Sequence, residues 1–359
     1  MLLNKIFLIF LLLVSLYGLK AQERIGDKSG FTSAAFSPDG EKVVTTSDDN
    51  TAKIWNAVSG ELLASLSGHS DQVNSAIFSP DGNKIVTASQ DYTAKLWDAA
   101  SGQLLADLRL HRDEVESAVF SPDGKKIVTS AGSQAKVWDA ASGQLLTDLD
   151  GHSSWVKSAV FSPDGKKIIT TSNDLSAKLW DTEIGKLLAD LRGHDDWVTS
   201  AFFSHDGQKI ATASNDNTAK IWDVASGKLL ADLEGHSDIV NSAVFSPDGK
   251  KIITASRDNT AKIWDVASGK LLTDLEGHSD VVNSAAFSPD GKKILTAGHY
   301  TVIIWDTSSD KPLIYLKGHT WAVNSATFSP DGKKIVTASV DETAKIWDAK
   351  TGKLLVELK

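Results

Sequence analysis

The chain has 359 residues, a formal net charge of −9 and no cysteine. The length suffices to bury a large core, because the buried fraction rises with chain size. The lack of cysteine excludes disulfides and thiolate catalytic or metal sites, and the scattered lysines argue against nucleic acid as a partner, since phosphate contacts carry most of such affinity.

Residues 1–21 read as a secretory signal peptide. Lys5 ends a short basic region, Ile6 to Tyr17 is almost wholly apolar, and Ala21 stands at a cleavage position. The apolar run is shorter than the roughly 20 residues a membrane-spanning helix needs. No transmembrane span is therefore expected after cleavage. The mature chain, 22–359, is expected to be exported: periplasmic, at the cell surface or secreted.

From there the sequence repeats. Trp55, Trp97, Trp138, Trp180, Trp222, Trp264, Trp305 and Trp347 recur every 41 or 42 residues, each followed by Asp except Trp55, which precedes Asn56. A fixed period in this range marks one supersecondary unit copied in tandem. Gly235 to Asp265 shows the unit in chain order. Val240 to Phe245 is a short β-rich run. Ser246-Pro247-Asp248-Gly249 is a turn, with Pro presetting φ and Gly taking positive φ. Lys251 to Ser256 is a second strand, Arg257-Asp258-Asn259 a tight turn, and Thr260 to Trp264 a third strand. After another turn, Leu271 to Leu275 suits either helix or strand by pattern, and its length favours strand. Short strands at regular spacing with turns between them indicate an all-β sandwich, barrel or propeller.

The order Gly-His, Phe-Ser-Pro-Asp-Gly, then Ser-x-Asp-x-Thr-x-x-x-Trp-Asp resembles the WD-repeat β-propeller family, in particular exported bacterial members built of near-identical repeats. The resemblance covers about residues 23–359. It implies an eight-bladed β-propeller of four-stranded antiparallel blades around a central channel. Blade one would begin near Phe31 and blade eight would end with Leu354 to Leu358. The last blade has its own outer strand, so closure is expected by packing of blade one on blade eight.

Ser, His and Asp recur in a way that suggests a nucleophile with its base, but a catalytic set is needed once. Here it is complete five times: His69, Ser89, Asp91, Trp97; His152, Ser172, Asp174, Trp180; His194, Ser214, Asp216, Trp222; His236, Ser256, Asp258, Trp264; His319, Ser339, Asp341, Trp347. The resemblance implies that these are hydrogen-bonded structural networks, and buried indole, imidazole and carboxylate groups need such partners. Blade one has Asp27 in the His position. Blade three has Leu110-His111 and Gly132, and blade seven has His278 and His299, each with a turn one residue short. No His cluster has metal-ligand spacing, so neither a metal nor a cofactor is expected. Asp71, Asp113, Asp196, Asp238 and Asp280 read as solvated rim charges.

Three tryptophans lie outside the repeat: Trp155, Trp197 and Trp321. All follow a Gly-His. Gln72, Glu114, Ile239, Val281 and Ala322 hold the place of Trp155 and Trp197 in other blades, so this position varies inside a nearly constant frame. The turn residues Asp48, Gln90, Asn173, Asn215, Arg257 and Val340 vary too, and His299-Tyr300 is the most distinctive turn. These positions are expected to form the binding face. The resulting expectation is a non-enzymatic scaffold that binds protein through one face. The alternative is a carbohydrate or surface-polymer module with the extra tryptophans as stacking platforms. An enzyme using the central channel is the remaining reading, and the chain offers no once-only catalytic set for it.

Overall fold

The computed structural model describes residues 30–359. The signal-peptide expectation and Asp27 lie outside the described residues. The described chain forms eight four-stranded antiparallel sheets, each built from four consecutive strands. Blade two is typical: Val73–Phe78, Lys84–Ser89, Ala94–Asp98 and Leu104–Leu108, in that spatial order. The ambiguous leucine-rich run is thus the outermost strand. Among the described residues no helix is long and apolar enough to cross a membrane.

The local chemistry explains the strand ends. In Ser-Pro-Asp-Gly, Ser79 Oγ donates to Asp81 Oδ1 at 2.5 Å and accepts from Lys84 N at 2.9 Å. Gly82 takes φ 77°, which an L side chain rarely adopts. After each Trp-Asp the carboxylate caps its own turn: Asp98 Oδ1 accepts from Ser101 N and Oγ, both at 2.7 Å. The eight repeat tryptophans are at most 4% exposed. Burying an aromatic side chain of this size removes about 150–250 Å² from water, worth about 4–6 kcal/mol at roughly 25 cal/mol per Å².

Each innermost strand carries a bulge at its second residue. In blade two the register passes from Val73↔Ser89 to Ser75↔Ala88 and skips Asn74. The unpaired residue turns towards the neighbour: Asn74 Nδ2 donates to Val115 O at 2.9 Å, and Asn241 Nδ2 to Val282 O at 2.9 Å. The same device closes the ring. Asn324 Nδ2 donates to Phe31 O at 2.8 Å, and Ala34 N donates to Ser325 Oγ at 3.1 Å. Phe31, Phe36, Val43 and Trp55 share one core cluster with Val336, Ile346 and Leu358. Leu354–Leu358 is the fourth strand of blade eight itself. Closure among the described residues is therefore by packing of blade one on blade eight, with no strand exchanged between them.

Candidate functional site

The recurring polar set has a hub that the sequence reading did not include. In blade six, His236 Nδ1 is 2.7 Å from Asp258 Oδ2, and His236 Nε2 is 2.7 Å from Thr254 Oγ1. Trp264 Nε1 donates to the same Thr254 hydroxyl at 2.8 Å. The carboxylate can only accept, so Nδ1 carries the proton and the threonine O–H donates to Nε2. The chain therefore runs indole to hydroxyl to imidazole to carboxylate, with every member satisfied. Blades two, four, five and eight repeat it through Thr87, Thr170, Thr212 and Thr337. The serine stands on a separate branch. Ser256 Oγ donates to Asp238 O at 2.9 Å and accepts from Asp258 N at 3.1 Å, tying the interblade loop to the turn.

The electrostatics fit a structural role. Burial disfavours the charged imidazolium of His69, His152 and His236 more than the adjacent aspartate favours it, so each titrates below the usual histidine range. For Asp174 and Asp258, burial opposes ionisation, but hydrogen bonds from Ser176 or Thr260, the histidine and a loop N–H outweigh it, giving about 2 in each. A neutral imidazole is here held by a firmly ionised carboxylate and bonded to a hydroxyl that is 0% exposed.

The blades that lack the aspartate differ. His111 and His278 still bond Thr129 and Thr296. Burial pushes them to about 3 and about 4. Their shortened turns join the next blade through the backbone: Gly132 O accepts from Val156 N at 2.6 Å, and His299 O from Val323 N at 3.0 Å. His299 also lies 3.3 Å from Asp280 Oδ2 and stacks on Tyr300 at 5.1 Å and 19°.

Within a blade the variable positions of the interblade loop and the second turn lie side by side. Gln90 N donates to Gln72 O, Asn173 N to Trp155 O, Asn215 N to Trp197 O, Arg257 N to Ile239 O and Val340 N to Ala322 O. Gln72 and Gln90 both reach the bulged Asn74, at 3.3 and 3.5 Å. In blade two, interblade loop, second turn and bulge thus form one triplet. Trp197 and Trp321 are 48% and 56% exposed, and Tyr300 is exposed. Trp155 is half-buried beneath Lys157, whose Nζ is 5.4 Å from the ring centroid. Gln72, Glu114, Ile239, Val281, Arg257 and His299 are half-buried. Trp155 and Trp197 occupy adjacent blades, while Tyr300 and Trp321 occupy blades seven and eight, so the aromatic residues fall in two sectors of one face.

Two features escaped sequence reasoning. The hub threonine recurs in every unit, from Thr45 to Thr337, ten residues before the repeat tryptophan or nine in the shortened blades; its period was as legible as that of Trp. The second is a cross-strand pair on the blade face, such as Lys95 with Asp107 at 2.7 Å, the lysine side chain only 3% exposed. Among the described residues no group of His, Cys, Asp and Glu could hold a metal ion. A lateral groove of about 860 Å³ on the outer circumference, lined in part by Asp274, Glu276, Lys311 and Pro312, brings no such set together.

No curated protein matches the chain. Among solved structures, the crystal structure of the computationally designed Ika8 protein is similar, with 30% identity over 90% of this chain and 97% of that one, and a TM-score of 0.81. The sequence profile described as WD domain, G-beta repeat matches eight times, at residues 20–56, 60–98, 102–139, 143–181, 185–223, 227–265, 269–306 and 310–348. Its units end at the third strand of each blade, one strand out of phase with the sheets, which is why Leu354–Leu358 follows the last match yet completes blade eight. The chain belongs to the WD domain, G-beta repeat family.

Proposed function

We propose that this protein is a non-enzymatic scaffold that docks a protein partner on the face carrying the interblade loops and the second turns. Propellers of this family commonly serve as protein-interaction scaffolds and are generally not enzymes. The carrying observation is the exposure of Trp197 and Trp321 on that face, inside loops whose frame hardly varies. A large exposed indole gains little where it stands and much when a partner covers it, and tryptophan is enriched among residues that dominate binding energy. The rigid ring holds these loops in place before binding, so little ordering cost remains. Residues 1–21 support export, which would put the partner outside the cytoplasm.

The test is affinity capture from the envelope fraction of the source organism, with the wild type beside the Trp197→Ala/Trp321→Ala double variant. A specific partner lost only with the double variant supports the reading. Retention of every captured protein by the folded double variant removes it. Exposed indoles would also serve as stacking platforms for sugars. A glycan array read with the same variants separates that alternative, because tryptophan-dependent glycan binding without a protein partner would favour it.

A further inference from the structure

The outer corner of each blade is sealed by the next blade, with one exception. In seven of the eight blades, the turn after Trp-Asp or Trp-Asn ends on a glycine. Its N–H donates to the carbonyl of that Asp or Asn at 2.8–3.0 Å, as Gly102 N does to Asp98 O. These glycines take φ of 65–74°. Each seats on the outermost strand of the preceding blade. A Cβ on Gly143 would stand 2.6 Å from Ala106 Cβ, and one on Gly185 would stand 2.5 Å from Thr147 Oγ1. The place therefore admits bare main chain and little else.

Blade seven departs from this. Its turn has the same length, Asp306 to Pro312 against Asp265 to Leu271 in blade six, but Asp310 stands in the glycine place. Asp310 does not take a positive φ, which disfavours residues with a Cβ. The turn closes early instead, with Ser309 N donating to Asp306 O at 3.1 Å. The groove of about 860 Å³ opens at this corner, between Thr273, Asp274 and Glu276 of blade six and Ser308, Asp310 and Pro312 of blade seven. The cause lies in the turn and not in the strand beneath it, because Thr147, the counterpart of Thr273 in blade three, still carries Gly185.

We propose that this groove receives a glycine-bearing segment of a partner protein, whose main chain takes the place over Thr273 that the chain's own glycine turn takes in the other seven blades. The ring itself shows seven times what fits there. A second copy of the chain does not offer such a turn, since its seven glycine turns are seated in its own ring. The site lies on the outer circumference, beyond the docking face described above, and the two stand or fall separately.

The test is a titration of the full chain, followed by saturation-transfer NMR, with the blocked peptide Val-Ala-Ser-Gly-Lys-Leu, the turn of residues 266–271, and with the same peptide carrying Ala for Gly. The glycine peptide is expected to bind. The alanine peptide should bind at least about tenfold more weakly, since a left-handed alanine and its Cβ both oppose the fit. Asp310→Gly restores the glycine turn and should fill the groove from within, lowering peptide affinity at least about tenfold in a folded protein. Asp310→Asn removes the charge without restoring the glycine and should keep wild-type affinity, as should Trp197→Ala/Trp321→Ala. No binding of the glycine peptide at millimolar concentration, equal binding of the two peptides, or wild-type binding by Asp310→Gly overturns the inference. Equal loss with Asp310→Asn and Asp310→Gly overturns it too, because charge alone would then hold the peptide. Loss with the tryptophan variant would put the peptide on the docking face and overturn it likewise.

Discussion

Replacing the hub threonine tests the network where its energetics are best defined. Thr254→Val keeps the shape of the side chain and deletes one hydroxyl. That hydroxyl accepts from Trp264 Nε1 at 2.8 Å and bonds His236 Nε2 at 2.7 Å. Thr254 is 0% exposed, Trp264 2% and His236 8%, so water cannot replace the lost partner without rearrangement. Each buried polar group left without a partner costs about 1–3 kcal/mol, which gives about 2–6 kcal/mol for the pair. Thr254→Ser retains the hydroxyl and loses one methyl group, costing about 1 kcal/mol. Valine should therefore be less stable than serine by about 1–5 kcal/mol, a large share of the roughly 5–15 kcal/mol typical of a folded domain. Urea unfolding at pH 7, followed by circular dichroism with m-values compared, measures the difference. In blade one, Thr45 accepts from Trp55 Nε1 at 2.8 Å, and no histidine partner lies among the described residues, so Thr45→Val should cost about half as much. A valine variant as stable as the serine variant would refute the hub.

Other expectations follow from the departures between blades. His111 and His278 titrate at about 3 and about 4 when folded, but near 6.5 when unfolded. The unfolded chain thus binds protons first as pH falls, and each histidine should remove about 2 kcal/mol of stability between pH 6.5 and 5. Asp174 and Asp258, at about 2, begin to contribute to acid loss only below about pH 4. Unfolding midpoints from pH 7.5 to 5 should show this slope, flattened by His278→Gln; an unchanged slope would contradict the assignment. Gly298→Ser restores the residue most repeats carry, yet its Cβ would stand 2.6 Å from His278 Nδ1. It should destabilise by about 1–3 kcal/mol, as overpacking does, and a neutral or raised melting temperature would count against the packing. Leu175 sits at φ 68°, where blades five and six place Asn217 and Asn259. Leu175→Asn should raise stability by about 0.5–1 kcal/mol, because Asn tolerates the left-handed region better; a lower melting temperature would show that Leu175 packs. Trp197→Ala should lower stability by less than about 1 kcal/mol, since exposed positions contribute little, and a larger thermal shift would place that indole in the core.

The fold was legible because the same turn chemistry recurs eight times. Ser-Pro-Asp-Gly and Trp-Asp each fix a strand end through local hydrogen bonds, so three strands per unit could be read without tertiary information, while the leucine-rich fourth run fitted helix or strand by pattern and was favoured as strand by its length and by the family resemblance. Ring closure was legible for a similar reason, since Leu354–Leu358 completes blade eight by its own pattern. The network was only half legible. Trp, His and Asp announce themselves as residue types that need partners, whereas Thr254 looks like any β-branched strand residue until the indole and imidazole converge on it. Asn74 and Lys157 were invisible as a class, because a bulge is a property of register that composition does not encode. The contrast between Trp155 and Trp197 belongs there too. Both hold one repeat position, and the residue two places on, Lys157 or Thr199, decides which indole has a cation over it.

Docking of a partner on the face of the interblade loops is the proposed function. It is tested most directly by the affinity of the captured partner for three folded proteins: the wild type, Trp197→Ala/Trp321→Ala, and Lys166→Ala/Lys250→Ala, which alters the Ser-Pro-Asp-Gly turns at the opposite ends of the strands. At least a tenfold loss is expected for the tryptophan variant, with wild-type affinity for the lysine variant. Loss confined to the lysine variant would contradict it and move the binding surface to the other face of the ring.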